Sequence, residues 1–165
     1  MATLASGLIG TMILSSRATS VVATLGTDLI ITTITATTSS IGSMIGYLTT
    51  NKNPGIFDVN NILISTDLDF TIGIIEQIVR EQEGKPLNES IKKALIGVNN
   101  ILEAIHYELD SIKKAIENHK TKYFSSWRSF SWNGTIDSLK KHSDILKHRY
   151  SILFELLKIS NSLRQ

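Results

Sequence analysis

The sequence predicts an all-α protein, in which a hydrophobic N-terminal helical segment precedes a helical bundle built on a long antiparallel helical hairpin. Three observations support this prediction. Apolar residues recur at alternating steps of three and four, charge is nearly absent from the first third of the chain, and turn formers separate the two parts. With 165 residues, the chain has the usual length of one domain.

Charged residues are distributed unevenly along the chain. Residues 1–51 contain only Arg17 and Asp28, whereas residues 52–165 contain 16 of the 17 basic and 14 of the 15 acidic side chains. This division predicts an apolar, membrane-embedded or assembly-buried segment at 1–51 and a polar helical bundle at 52–165. The formal net charge is only +2, so we expect no nucleic-acid partner.

The stretch after Asp28 is a candidate for a transmembrane helix. Residues 29–51 carry no charge and are long enough to cross a hydrocarbon core of ~30 Å. Many are Thr or Ser, whose hydroxyls can donate back to the carbonyl three or four residues earlier. Runs of β-branched residues leave a strand as the alternative, but the 3-4 spacing favours a helix. The residues predicted to face lipid or another helix are Ile31, Ile34, Ile41, Gly42, Ile45, Gly46 and Leu48.

The flanking charges bear on targeting and orientation. A secretory signal peptide carries its positive charge before the apolar run, whereas Arg17 comes after it. A cleaved signal is therefore not expected. Lys52 and the lysines beyond it indicate a cytoplasmic or particle-interior C-terminal part. The predicted localisation is therefore membrane-associated.

The polar part begins at a clear boundary. Pro54 and its neighbours end the apolar segment, and a helix is expected over 59–83. Its predicted core residues are Ile62, Leu63, Phe70, Ile74, Ile75 and Ile78. A break then precedes Asn88, which is the predicted N-cap of the next helix.

Two later segments predict the hairpin, at 87–121 and 135–162. In the first, eight apolar residues alternate steps of four and three, which also suits a coiled-coil seam. They are Ile91, Leu95, Val98, Leu102, Ile105, Leu109, Ile112 and Ile116. In the second, the same register includes Ser143 among apolar residues, and the linker is short enough to make the two helices antiparallel neighbours.

The linker of the hairpin concentrates aromatic residues beside basic ones. Such residues suit the headgroup zone of a membrane or a partner's groove, and they also suit a plug that closes the end of the hairpin, which we favour. The aromatic residues in question are Tyr123, Phe124, Trp127, Phe130 and Trp132.

No pattern of catalytic or metal-binding residues is present in the sequence. The chain has no cysteine, and no two of its four histidines are spaced four apart. The paired acidic residues have no accompanying nucleophile or phosphate-binding glycine loop. We therefore expect no enzyme activity, cofactor, metal or small-molecule substrate.

These features predict a non-enzymatic structural or scaffolding protein, anchored in a membrane or a large assembly such as a virion. Its expected partners are lipid, protein subunits or both, and it is expected to form oligomers. Two alternatives stay open. One is a membrane-perturbing effector that inserts its apolar N-terminus, which resembles helical pore-forming toxins at the level of fold without a diagnostic motif. The other is a soluble subunit whose first third is buried against partner subunits.

Overall fold

The computed structural model describes residues 11–51, 54–120 and 131–163, with side chains described from residue 26 onward. Five α-helices make up almost all of this part of the chain, and no strand occurs in it. They are α1 (Thr11–Thr50), α2 (Phe57–Ser65), α3 (Leu68–Arg80), α4 (Glu89–Lys120) and α5 (Asn133–Ser162), with a 3-10 turn at Pro54–Ile56 before α2. The predicted all-α class is confirmed.

Helix α1 packs lengthwise against α3 and α4. Two contacts give its direction relative to α4. Ser40 Oγ lies 2.9 Å from His106 Nε2, and Lys113 Nζ lies 5.7 Å from the centre of the Tyr47 ring. Both pairs are separated by 66 residues in sequence, so α1 and α4 run in the same direction.

The segment predicted as one helix over 59–83 is instead two helices, α2 and α3. Asp67 has a φ of 52°, in the left-handed region, which ends α2 and redirects the chain into α3. This turn shifts the buried face, so that Leu68, Ile72 and Val79 fill the core. The placement of Phe70 in the core was wrong, because its side chain is 64% exposed.

Helices α4 and α5 pack against each other along the bundle. Asn88 Oδ1 accepts a hydrogen bond of 2.9 Å from the Ile91 backbone N–H, which confirms the predicted N-cap of α4. All eight residues of the predicted α4 stripe are buried, and Ser143 lies in the core in line with the buried leucines of α5. The Arg149 side chain donates a hydrogen bond to the Gly97 carbonyl, which joins α5 to α4. The antiparallel direction of these two helices stays a prediction.

One continuous cluster of buried apolar side chains connects all five helices. Helix α1 contributes six of them, Ile31, Ile34, Ile41, Met44, Ile45 and Leu48. The ranges 1–51 and 52–165 differ in composition as predicted, yet the described residues of both share this core. Their independence as separate units stays a prediction.

A chain that starts at Lys52 is expected to lose cooperative unfolding. Six buried side chains at ~1.5–3 kcal/mol each rival the whole net stability of a typical domain, about 5–15 kcal/mol. A chain that starts at Ala23 keeps all six and should unfold cooperatively. Thermal unfolding followed by far-ultraviolet circular dichroism compares the two. Equal midpoints for both truncations would contradict a core role for α1.

Asp67, in the turn, and Asp69, two residues later in α3, form a matched pair for mutation. Asp67→Gly is expected to raise the free energy of unfolding by up to about 1 kcal/mol, because glycine adopts positive φ without a Cβ clash. Asp69→Gly, in the first turn of α3, should lower it by about 0.5–1 kcal/mol through reduced helix propensity. Urea unfolding measures both. A similar loss in the two variants would show that the turn imposes no backbone strain.

Candidate interaction surface

The residues predicted on the packing face of α1 divide into two groups. Ile31, Ile34, Ile41, Ile45 and Leu48 are buried in the core of the chain itself. Gly42 is half-buried and Gly46 is exposed, and a Cβ added at either would meet no atom within 4 Å. Within the described part of the chain, therefore, no neighbouring helix makes the close approach that a G-x-x-x-G step permits.

The opposite side of α1 forms a second stripe, which we call the outer face. Its members are exposed, uncharged and mostly small, and they follow steps of three and four. The exposed Asp28 lies on the same side, four residues before Thr32, at the N-terminal end of this stripe. They are Leu29, Thr32, Ala36, Ser39, Ser43, Gly46 and Thr50. Helices exposed to water normally carry charged residues on this side, so the outer face is unusual for a solvated helix.

Many hydroxyls of α1 are satisfied by their own helix. Thr33 Oγ1 donates to the Leu29 carbonyl at 2.8 Å, and Ser43 Oγ donates to the Ser39 carbonyl at 3.0 Å. Thr50 Oγ1 donates to the Gly46 carbonyl at 2.8 Å. These bonds confirm that the hydroxyls fold back as predicted. On the outer face, two of the four hydroxyls, those of Ser43 and Thr50, are therefore already used within the helix.

The exposed sides of α4 and α5 contrast with the outer face because they are rich in charge. On α4, Lys114 Nζ lies 2.6 Å from Asp110 Oδ2 in a surface pair one turn apart. The hydrogen bond from Lys114 lowers the pKa of the Asp110 carboxyl below its ordinary value. The pair is solvated and contributes little to stability. On α5, exposed Asp137, Lys140 and Lys141 likewise face water, whereas the outer face of α1 has no such residues among its members.

Two grooves border the outer face where α1 passes α3. One, of about 360 Å³, lies between Thr32 and Ala36 of α1 and Arg80 at the end of α3. The other, of about 330 Å³, lies between Gly46 and Thr49 of α1 and Ile64 of α2. Because of these grooves, the surface beside the outer face is concave as well as helical. Neither groove brings together groups for catalysis.

Among the linker aromatics, only Trp132 is described. Its side chain is half-buried against the core, and its Nε1–H donates to the Gly55 carbonyl at 2.7 Å, which ties the start of α5 to the turn after α1. This position suits the predicted plug. The other four residues of the predicted aromatic surface, Tyr123, Phe124, Trp127 and Phe130, lie outside the described residues.

The hydrogen bond between Ser40 and His106 was not foreseen from the sequence, because the two residues are 66 positions apart. Ser–His pairs also occur in hydrolases, where backbone N–H groups stabilise the developing oxyanion. Here both residues lie inside long helices, whose backbone N–H groups are used in helical hydrogen bonds. The pair is best understood as a polar contact between α1 and α4. Among the described residues, no three His, Asp or Glu side chains are grouped to hold a metal ion.

No protein-family model matches the sequence, and comparisons with curated proteins and with solved structures found no match. By length and composition, α1 contains one candidate membrane span, Gly26–Thr50, with a mean hydropathy of 1.3. One third of that segment is buried inside the chain. A candidate span that also serves as a core helix is weak evidence for crossing a membrane, and function has to be argued from the surface.

Trp132→Phe is expected to lower the free energy of unfolding by about 1 kcal/mol or more, because a smaller aromatic ring replaces the indole and the hydrogen bond to Gly55 is lost. Tyr107→Phe is the control, since it removes the hydroxyl of a side chain that is 71% exposed and should change stability by less than about 0.5 kcal/mol. Denaturant unfolding monitors both. Equal effects would mean that the Trp132 bond does not hold α5 to the turn.

Proposed function

We propose that this chain is a non-enzymatic structural protein of a membrane-bound or other large assembly, such as a virion. In this proposal the N-terminal part anchors the chain, and the bundle binds protein subunits through the outer face of α1. The proposal rests above all on one observation. The seven residues of the outer face are exposed and uncharged, and two of their four hydroxyls bond to their own helix, while the opposite face of α1 is buried in the core.

A surface with these properties suits close packing against another protein. Small side chains let a partner's backbone approach, and the open space at Gly42 and Gly46 leaves room for a side chain from outside. The absence of charge removes the desolvation penalty that a lysine or glutamate would impose in an interface. A second copy of the chain or a different subunit meets these requirements equally.

A membrane-perturbing effector is the second candidate function. The observation that favours it is that Gly26–Thr50 has the length and hydropathy of a span while its apolar face is held inside a bundle. Such a helix has two possible environments of comparable polarity, so release from the bundle would let it insert. In that case, adding the full chain to dye-loaded vesicles would release the dye.

A charge on the outer face tests the structural role. Ser43→Lys is expected to shift the sedimentation of the full chain toward the monomer and to weaken association by about tenfold or more, because a lysine without a partner is costly to bury in an interface. Ser111→Lys on α4 is the matched control. Both serines are exposed and donate to the carbonyl four residues earlier, so only the helix surface differs.

Analytical ultracentrifugation of the purified full chain, and of its complexes from the source membrane or particle, gives the readout. Loss of association in Ser43→Lys with no change in Ser111→Lys supports the outer face as the binding surface. The proposed function would be refuted if the full chain were monomeric at all concentrations and if no other subunit were found bound to it in material from that membrane or particle.

A further inference from the structure

A groove separates the C-terminal ends of α3 and α5. Helix α3 packs chiefly against α1, whereas α5 packs chiefly against α4, so these two helices make few contacts with each other. Where they end, a groove of about 310 Å³ stays open between them. Its volume lies at the lower end of the range for small-molecule sites, about 300–1,000 Å³.

The walls of this groove are apolar. Leu157 belongs to the core and is only 6% exposed, and the half-buried Ile78 packs against the same core. Phe154 is 45% exposed, and the centre of its ring lies 6.2 Å from that of Tyr150. A neighbour on its own helix therefore supports Phe154 while its ring lines the groove.

Gln82 is the unusual member of the lining. Its side chain carries a primary amide, yet the residue is only 7% exposed. The amide Nε2 donates one hydrogen bond of 3.3 Å to the Ile78 carbonyl. In the described part of the chain, the second N–H and the Oε1 atom of this amide have no partner. Buried amide groups normally have partners for both.

The unused amide groups of Gln82 border the groove and not the sealed core. Among the described residues, some polar atoms without a partner are fully enclosed, such as Ser143 Oγ, but none of them belongs to Gln82. Since the rest of Gln82 is buried, the accessible part of its amide lies at the groove that it lines. The groove thus presents an acceptor and a donor side by side within apolar walls.

The rim of the groove carries no net charge. Glu81 and Lys158 are both exposed and have opposite charges, and the other two polar residues of the rim, Asn161 and Ser162, are neutral. The Ser162 hydroxyl is already used, because its Oγ donates to the Lys158 carbonyl at 3.0 Å. A neutral ligand avoids the cost of bringing a charge against the apolar walls.

We propose that this groove binds a small neutral molecule in which a primary carboxamide is attached to a hydrophobic group. The carboxamide of the ligand donates to Gln82 Oε1 and accepts from the free Nε2–H, so both unused groups gain a partner. The hydrophobic group lies against Ile78, Phe154 and Leu157. The site shares no residue with the outer face of α1, so it does not depend on the proposed function.

The amide of Gln82 also determines which ligands are rejected. A carboxylate of the same shape has no N–H to donate to Oε1, and its charge is repelled by that oxygen. A site that hydrogen-bonds its ligand discriminates strongly against an analogue that leaves its buried polar groups unpaired. The preference for amide over acid is therefore the signature of this site.

Titration of the full chain with hydrocinnamamide, a phenyl ring joined through two carbons to a primary amide, tests the site. Hydrocinnamate is the acid of the same shape. Amide and methyl chemical shifts in NMR spectra give the readout. The amide is expected to bind with a dissociation constant on the order of 1 mM. Its shifts should centre on the Gln82 side-chain amide and on the methyl groups of Ile78 and Leu157, and the acid should bind about tenfold more weakly.

Three variants separate the hydrogen bonds from the apolar walls. Gln82→Leu is expected to weaken binding of the amide by about tenfold or more and to abolish the preference over the acid. Gln77→Leu is the matched control, because Gln77 is an exposed glutamine of α3 that does not line this groove. Phe154→Ala should weaken both probes by a similar factor, about threefold or more, because it removes part of the wall and leaves the amide in place.

Far-ultraviolet circular dichroism verifies that each variant is folded, and the comparison of amide with acid in the wild-type chain needs no variant. Tighter binding of the acid, or equal binding of the amide to the wild type and to a folded Gln82→Leu, would overturn the proposal. Groove shifts that depend on protein concentration without a probe would also contradict it, by showing that a second copy covers the groove. Association through the outer face is measured without these probes, so the two proposals fail separately.

Discussion

The burial of one face of α1 against α3 and α4 is the interaction on which the rest of this structure depends. Ile34, Ile41 and Leu48 are fully enclosed, and they belong to the same core as the long stripe of α4. Without α1 the apolar sides of α3 and α4 that pack against it would face water. The most hydrophobic segment of the chain is therefore a structural member of the bundle.

This constraint separates α1 into surfaces with different tasks. The buried face is committed to the core, and the Ser40–His106 contact sets its register on α4. The residues of the outer face are uncharged, and the hydroxyls of Ser43 and Thr50 bond to their own backbone. This register places Ala23 level with Glu89, so the first turns of α1 extend past the start of α4.

The two ends of the molecule differ in the same way. Trp132 joins the start of α5 to Gly55 at one end, where the chain turns after α1. At the other end, where the last turns of α5 meet the end of α3, Ile159 and Leu163 are exposed. The two ends of the bundle therefore differ in the apolar side chains that they expose.

Sequence periodicity by itself determined the helical class, the eight-residue stripe of α4, the N-cap at Asn88 and the buried face of α1, because each depends on local spacing and local hydrogen bonds. Tertiary structure decided what covers that buried face. A charge-free helix with Ile31 and Leu48 on one side satisfies the requirements of lipid and of a protein core equally, so composition cannot distinguish them.

The turn at Asp67 and the exposed position of Phe70 could also not be predicted from the sequence. A single residue with positive φ changes the buried face of everything after it, and aspartate adopts that conformation only where the surrounding packing requires it. The register of α1 on α4 follows from contacts between residues 66 positions apart. No local pattern contains that distance, which is why only the folded chain could set it.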